Sequence, residues 1–161
     1  MTTPATVPAI TIRETRPADL EEILRHRRMM FYDMGYQDIA ALDLMVQRSR
    51  RNIARYLADG SYRGWFAVRA DDRVVAGVGL IITELVSGPF SPEQTCRPYL
   101  LNVYTHPDFR NQGLARQLTV KAIEWCRMQG FKVVWLHASK YGKSLYESLG
   151  FEQTNEMKLM L

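Results

Sequence analysis

The residues most able to do chemistry lie in one stretch, Val103-Tyr104-Thr105-His106-Pro107-Asp108-Phe109-Arg110-Asn111-Gln112-Gly113-Leu114-Ala115. An apolar run meets a proline, then a glycine, then helix-forming residues, which spells strand, turn and helix. The first turn of a helix has unpartnered backbone N–H groups at the positive end of its dipole, and together these bind phosphate. Gly113 lets the backbone approach an anion closely, Ala115 is small enough to keep that approach open, and Arg110 and Arg116 add positive charge. An ordinary helix start with a convenient glycine would read the same way locally, so the rest of the chain has to decide.

Other chemistries find little support. No Ser-His-Asp or Cys-His set gathers near a common motif, and Cys96 and Cys126 show no disulfide or metal-ligand spacing. That implies no metal and a reducing interior, the cytoplasm. A hydrophobic content of 47% with 24% charged residues argues against wholesale disorder. No apolar run approaches the roughly 20 residues that cross a bilayer, and the N-terminus lacks a charged-then-apolar leader, so no membrane partner is expected. The net charge of +4 suits nucleic acid but equally a phosphate-rich cofactor. The basic stripe Arg48, Arg51 and Arg55, with Arg50 beside it, has no interleaved aromatics for base stacking. It reads as a solvated helix face, and no nucleic acid is expected.

The elements that must position the turn follow from periodicity. At 161 residues the chain fits one domain, with residues 1–9 a flexible, Pro-containing tail and residues 10–161 folded. Residues 10–15 alternate as a first strand, and Pro17 and Asp19 open a helix that stops near Gly35. A second helix spans about 38–58, with Leu42, Met45, Val46, Ile53, Tyr56 and Leu57 on its buried side. Residues 65–69 and 74–82 flank an Asp71-Asp72 turn, residues 87–98 form a loop, and residues 98–106 form another strand. A helix starting near Gly113 turns Leu114, Leu118, Ala122, Trp125 and Cys126 inward. A short strand over 131–137, a short helix over 140–149 and a final strand over 151–161 complete a mixed α/β layer structure.

Two motifs in this order resemble a known family. Arg110-Asn111-Gln112-Gly113-Leu114-Ala115 matches the Gln/Arg-x-x-Gly-x-Gly/Ala loop of GCN5-related N-acetyltransferases. Further on, Leu145-Tyr146-Glu147-Ser148-Leu149-Gly150-Phe151 resembles that family's Leu-Tyr-Glu-x-x-Gly-Phe block. The opening Ile12-Arg13 and Arg16-Pro17-Ala18-Asp19 look like its usual start, so the resemblance covers roughly residues 10–160. It implies the GNAT fold: a central mixed, mostly antiparallel sheet of about six to seven strands, flanked by four helices and splayed at the fourth strand.

The resemblance also implies a reaction. Acetyl-CoA would be the cosubstrate, and the amine of a small molecule, amino acid or peptide would attack the thioester directly. Val103, Tyr104 and Thr105 would pair with pantetheine as a peptide adds to a sheet edge. Arg110, Asn111, Gln112, Gly113, Leu114, Ala115 and Arg116 would hold the pyrophosphate. Tyr146 matches the position whose hydroxyl protonates the leaving thiolate. Ser139 stands where many members carry a coenzyme A-binding Asn, and Lys140 and Lys143 lie near it.

An alkylammonium of lysine type has a pKa of about 10.4 and must lose a proton. The glutamate that some members use for this is replaced by Tyr99, leaving Glu84, His106 or His137 to act through a water chain. The first helices wall the acceptor site in the family, which makes Arg25, Arg28 and Tyr32 substrate candidates, with Arg27 and Arg28 suited to a carboxylate; Glu84, off these helices, is a further substrate candidate. A non-catalytic acyl-CoA sensor is the alternative function. A homodimer paired through the final strand stays open.

Overall fold

The computed structural model describes residues 9–89 and 92–161, so the expected tail falls almost wholly outside the described residues. The chain runs β1 (Ile10–Glu14), α1 (Leu20–Asp33), α2 (Ile39–Asp59), β2 (Tyr62–Arg69), β3 (Val74–Glu84), β4 (Cys96–Thr105), α3 (Leu114–Met128), β5 (Trp135–Leu136) and α4 (Lys143–Ser148). The sheet order is β1-β2-β3-β4-β5. The first four strands pair antiparallel, and β5 joins β4 in parallel. Among the described residues, no helix is long and apolar enough to cross a membrane.

Alternation along the strands divides the core into two layers. Trp65, Ala67, Val78, Leu80 and Leu100 pack on one face against Leu114, Leu118, Ala122 and Cys126 of α3. Tyr62, Phe66 and Val68 pack on the other face against Ile23, Leu24 and Ile53 of α1 and α2. Leu118 is fully buried, and its truncation to alanine should cost about 2–5 kcal/mol.

The α1 side lies close to the sheet because β3 is bare there. A Cβ on Gly77 would sit 2.8 Å from Phe66 Cδ1 and 2.9 Å from His26 Nδ1, and one on Gly79 would sit 2.3 Å from Tyr62 Oη. The rings of Phe66 and Tyr62 thus occupy the space of two missing side chains.

Helix ends follow local chemistry. The Asp38 side chain accepts from Ala41 N at 3.0 Å to cap α2, and Gly60, at φ 78°, ends it. Asp19 is gripped by Arg13 through two 2.8 Å bonds, holding the start of α1 onto β1.

Two boundaries depart from expectation. β2 begins at Tyr62 rather than near residue 65, because Tyr62 pairs with Ile81 across the ladder. Residues 151–161, expected as a final strand, have no regular secondary structure, so five strands form among the described residues instead of about six to seven. Their alternation is strand-like, but a strand needs a ladder partner, and β5 is reduced to Trp135 and Leu136. Met157, Leu159, Met160 and Leu161 are accordingly exposed.

Candidate active site

β4 and β5 touch only at Tyr99↔Trp135 and Leu100↔Leu136. Beyond that point the strands part, and the outer edge of β4 from Leu101 onward has no strand beside it among the described residues. The inner edge is irregular too. Between the pairs Gly79↔Leu101 and Gly77↔Tyr104, β3 supplies only Val78 where β4 supplies Asn102 and Val103. Asn102 takes up this bulge with φ 53°.

The free edge leads into the turn. Pro107 closes the strand, a short 3-10 turn follows over Pro107–Phe109, and His106 Nδ1 accepts from Asp108 N at 3.3 Å. Arg69 and Arg73 lie over the Phe109 ring at 5.6 and 5.8 Å. Asn111 (φ 59°) and Gly113 (φ 77°) then turn left-handed, which presents successive amides to one side. The first α3 bond is Gln117 N to Gly113 O at 3.0 Å, so Leu114, Ala115 and Arg116 keep free amides.

Between the splayed strands lies a cleft of about 970 Å³, walled by α1, β4, the turn and α4. Val103, Tyr104, Thr105, Arg110, Asn111, Gly113, Leu114, Ala115, Arg116, Ser139 and Tyr146 all contribute to its wall. Gln112 does not; its Nε2 donates to the Asp108 carbonyl at 3.4 Å. The Tyr104 ring packs on His26 at 4.8 Å, so this residue offers the cleft mainly its backbone. Ser139 Oγ accepts from Gly142 N at 3.2 Å and helps turn the chain into α4.

Arg110 donates from Nε to the Thr105 carbonyl at 3.1 Å and pairs with Asp33, tying the turn to α1. Arg116 donates to Ser148 Oγ and joins α3 to α4. Tyr146 stands edge-on to Phe151 at 5.8 Å, and burial pushes its hydroxyl up to about 12, so it stays protonated at neutral pH.

Several residues fall elsewhere. Glu84 pairs with Cys96 at the far end of β3, outside the cleft. Arg28 turns to Asp43 at 2.8 Å, and Tyr32 is exposed on the same outer face of α1. His106 and the two lysines Lys140 and Lys143 also lie outside, whereas His137 and Tyr99 line the wall. α1 presents Arg27, Met30, Phe31, Asp33 and Met34 to the cleft instead. Neither sequence motif includes Asn102; its one local signal is the ease with which Asn adopts a left-handed conformation.

The sequence model of the acetyltransferase (GNAT) family matches residues 20–151. A GCN5-related N-acetyltransferase from Ralstonia eutropha JMP134 superposes with a TM-score of 0.89 at 33% identity, over 95% of this chain and 99% of that one. A predicted acetyltransferase from Clostridium acetobutylicum, crystallised with acetyl-CoA, shares the fold with a TM-score of 0.84 at 20% identity, over 95% and 96% of the two chains. The uncharacterized N-acetyltransferase YjgM of Escherichia coli (strain K12) is 32% identical over 91 residues, 55% of this chain. That match spans 50% of the relative's length.

Proposed function

The chain belongs to the acetyltransferase (GNAT) family, and from that premise we propose that it is an enzyme that acetylates the primary amine of a small molecule, amino acid or peptide. One observation carries the reading: the unpaired edge of β4 runs along a cleft and ends at the free amides of a left-handed turn and helix start. An extended amide-bearing arm followed by a diphosphate fits that sequence of groups, as pantetheine and pyrophosphate would. Acetyl-CoA, when bound, supplies the activated acetyl group as a thioester.

The protein's own residues do the rest. Val103 and Thr105 offer backbone groups to the arm, and the amides from Asn111 to Arg116 hold the phosphates. Tyr146 keeps its proton at neutral pH and donates it to the departing sulfur, taking one back from solvent as the attacking amine releases its own. A hydroxyl donor at the cleft wall supports catalysis over an acyl-CoA sensor, which would need no acid there. Purified protein, acetyl-CoA and a panel of amines, followed by release of free thiol, test the function. Acetyl-CoA binding without thiol release from any amine would favour the sensor.

A further inference from the structure

Where α1 crosses the β4 bulge, Arg27 brings a guanidinium to the cleft wall. Its Nη1 donates to Asn102 Oδ1 at 2.9 Å and its Nε to Ser49 Oγ at 3.3 Å, and its plane lies over Phe31 at 5.1 Å. No carboxylate pairs with it among the described residues, and burial lowers its pKa. Guanidinium has five N–H donors and no acceptor, so donors remain unused.

Asn102 fixes the guanidinium in place. Arginine can only donate, so Oδ1 must face Arg27, which leaves Nδ2 as a second donor. That nitrogen is buried against the Tyr62 hydroxyl, whose rise in pKa it tempers as a donor, so it faces the protein interior and not a ligand. Of the other charged groups on the wall, Asp33 and Arg110 pair with each other, and Arg116, which donates to Ser148 Oγ, stands at the turn. The cleft therefore holds a cation that has neutral oxygens beside it but no carboxylate among the described residues. Arg27 sits at the bulge, away from the phosphate-binding turn beyond Thr105.

We infer that Arg27, held in place by Asn102, receives a carboxylate of the acceptor, so that the substrate is an amine of the amino-acid class. This rests on the acetyl-transfer reading. A planar carboxylate matches the donor geometry, and one cation balances its single charge, where a phosphate dianion would leave a charge over.

The test is a panel of α-, β- and γ-amino acids, each with its amide and its decarboxylated amine, plus phosphorylated amines. Thiol release gives kcat/KM, and calorimetry on the coenzyme A-saturated protein gives affinity without turnover. The acids should exceed their amides by about 10- to 100-fold in both readouts. Arg27→Gln should bring that ratio near one, and Arg27→Lys should retain part of it. Equal treatment of acid and amide by the wild type overturns the inference, as does preference for a phosphorylated or uncharged amine, or a panel in which no carboxylate binds. Discrimination in calorimetry without thiol release would sink acetyl transfer and keep the carboxylate site.

Discussion

The carboxylate of Asp33, the last residue of α1, is paired with the guanidinium of Arg110, which opens the turn leading to α3. Both groups line the same cleft, so a negative charge stands beside the free amides proposed to hold phosphate. Asp33→Asn keeps an acceptor for Arg110 while removing that charge. Acetyl-CoA should bind the variant about 2- to 5-fold tighter at low salt, and the gain should shrink as salt screens it. The pair is solvent-exposed, so stability should change by no more than about 1 kcal/mol. Calorimetry at two ionic strengths checks the first claim; unchanged or weaker binding would show that Arg110 serves the α1 contact alone.

Gly113 separates backbone strain from ligand binding. Its φ of 77° disfavours any other residue, but a Cβ there would meet only Gln117 Nε2, at 3.8 Å. Gly113→Ala should therefore cost about 1–2 kcal/mol of stability, from the backbone alone. Gly113→Glu should abolish acetyl-CoA binding by placing bulk and negative charge at the free amides. Denaturant unfolding and calorimetry measure the two effects, and retained affinity in the folded glutamate variant would remove the turn from the site.

Tyr146→Phe deletes one polar atom and keeps the ring against Phe151. Turnover should fall about 10²-fold with cofactor affinity nearly unchanged. The assay belongs at high pH, where free amine is abundant, so that amine deprotonation does not mask the loss. Near wild-type turnover would mean that another group protonates the sulfur.

Alkali should destabilise the protein over a defined window. Burial raises Tyr62 and Tyr146 to about 12 and the Cys126 thiol to about 11. These groups keep their protons when folded and lose them at ordinary values, about 10 and 9, when unfolded. They therefore leave stability unchanged below about pH 8 and lower it from about pH 9 toward 12, each by on the order of 2–3 kcal/mol. Denaturant midpoints across this range should fall, and Tyr62→Phe should make the fall shallower. A flat profile would mean that water reaches these hydroxyls.

What could be read from the sequence was local. The turn at residues 110–115 announces itself because a proline, a glycine and a helix start lie within a few positions. The inward stripe of α3, Leu114 through Cys126, follows from helical period alone. Arg27 and Arg28 differ by one step, about 100° of helix rotation, and which of them enters the cleft depends on how α1 lies on the sheet. The bulge at Asn102 arises from the pairing of β3 with β4, a long-range register that no single segment encodes. The same holds for residues 151–161, whose alternation states what a strand would look like but not whether a partner waits for it.

The contact of Tyr62 and Phe66 with bare β3 constrains how this gene can drift. Gly77 and Gly79 are held by volume, since even a methyl group would collide with an aromatic ring or with His26. Every non-synonymous step from a glycine codon enlarges the residue, so neither position has a neutral neighbour in sequence space. A saturation library selected for folded protein should return glycine alone at both positions. Substitutes should reappear at Gly79 only when Tyr62 is shortened in the same clone, and at Gly77 only when Phe66 and His26 both give way, which makes ring and gap heritable as a unit.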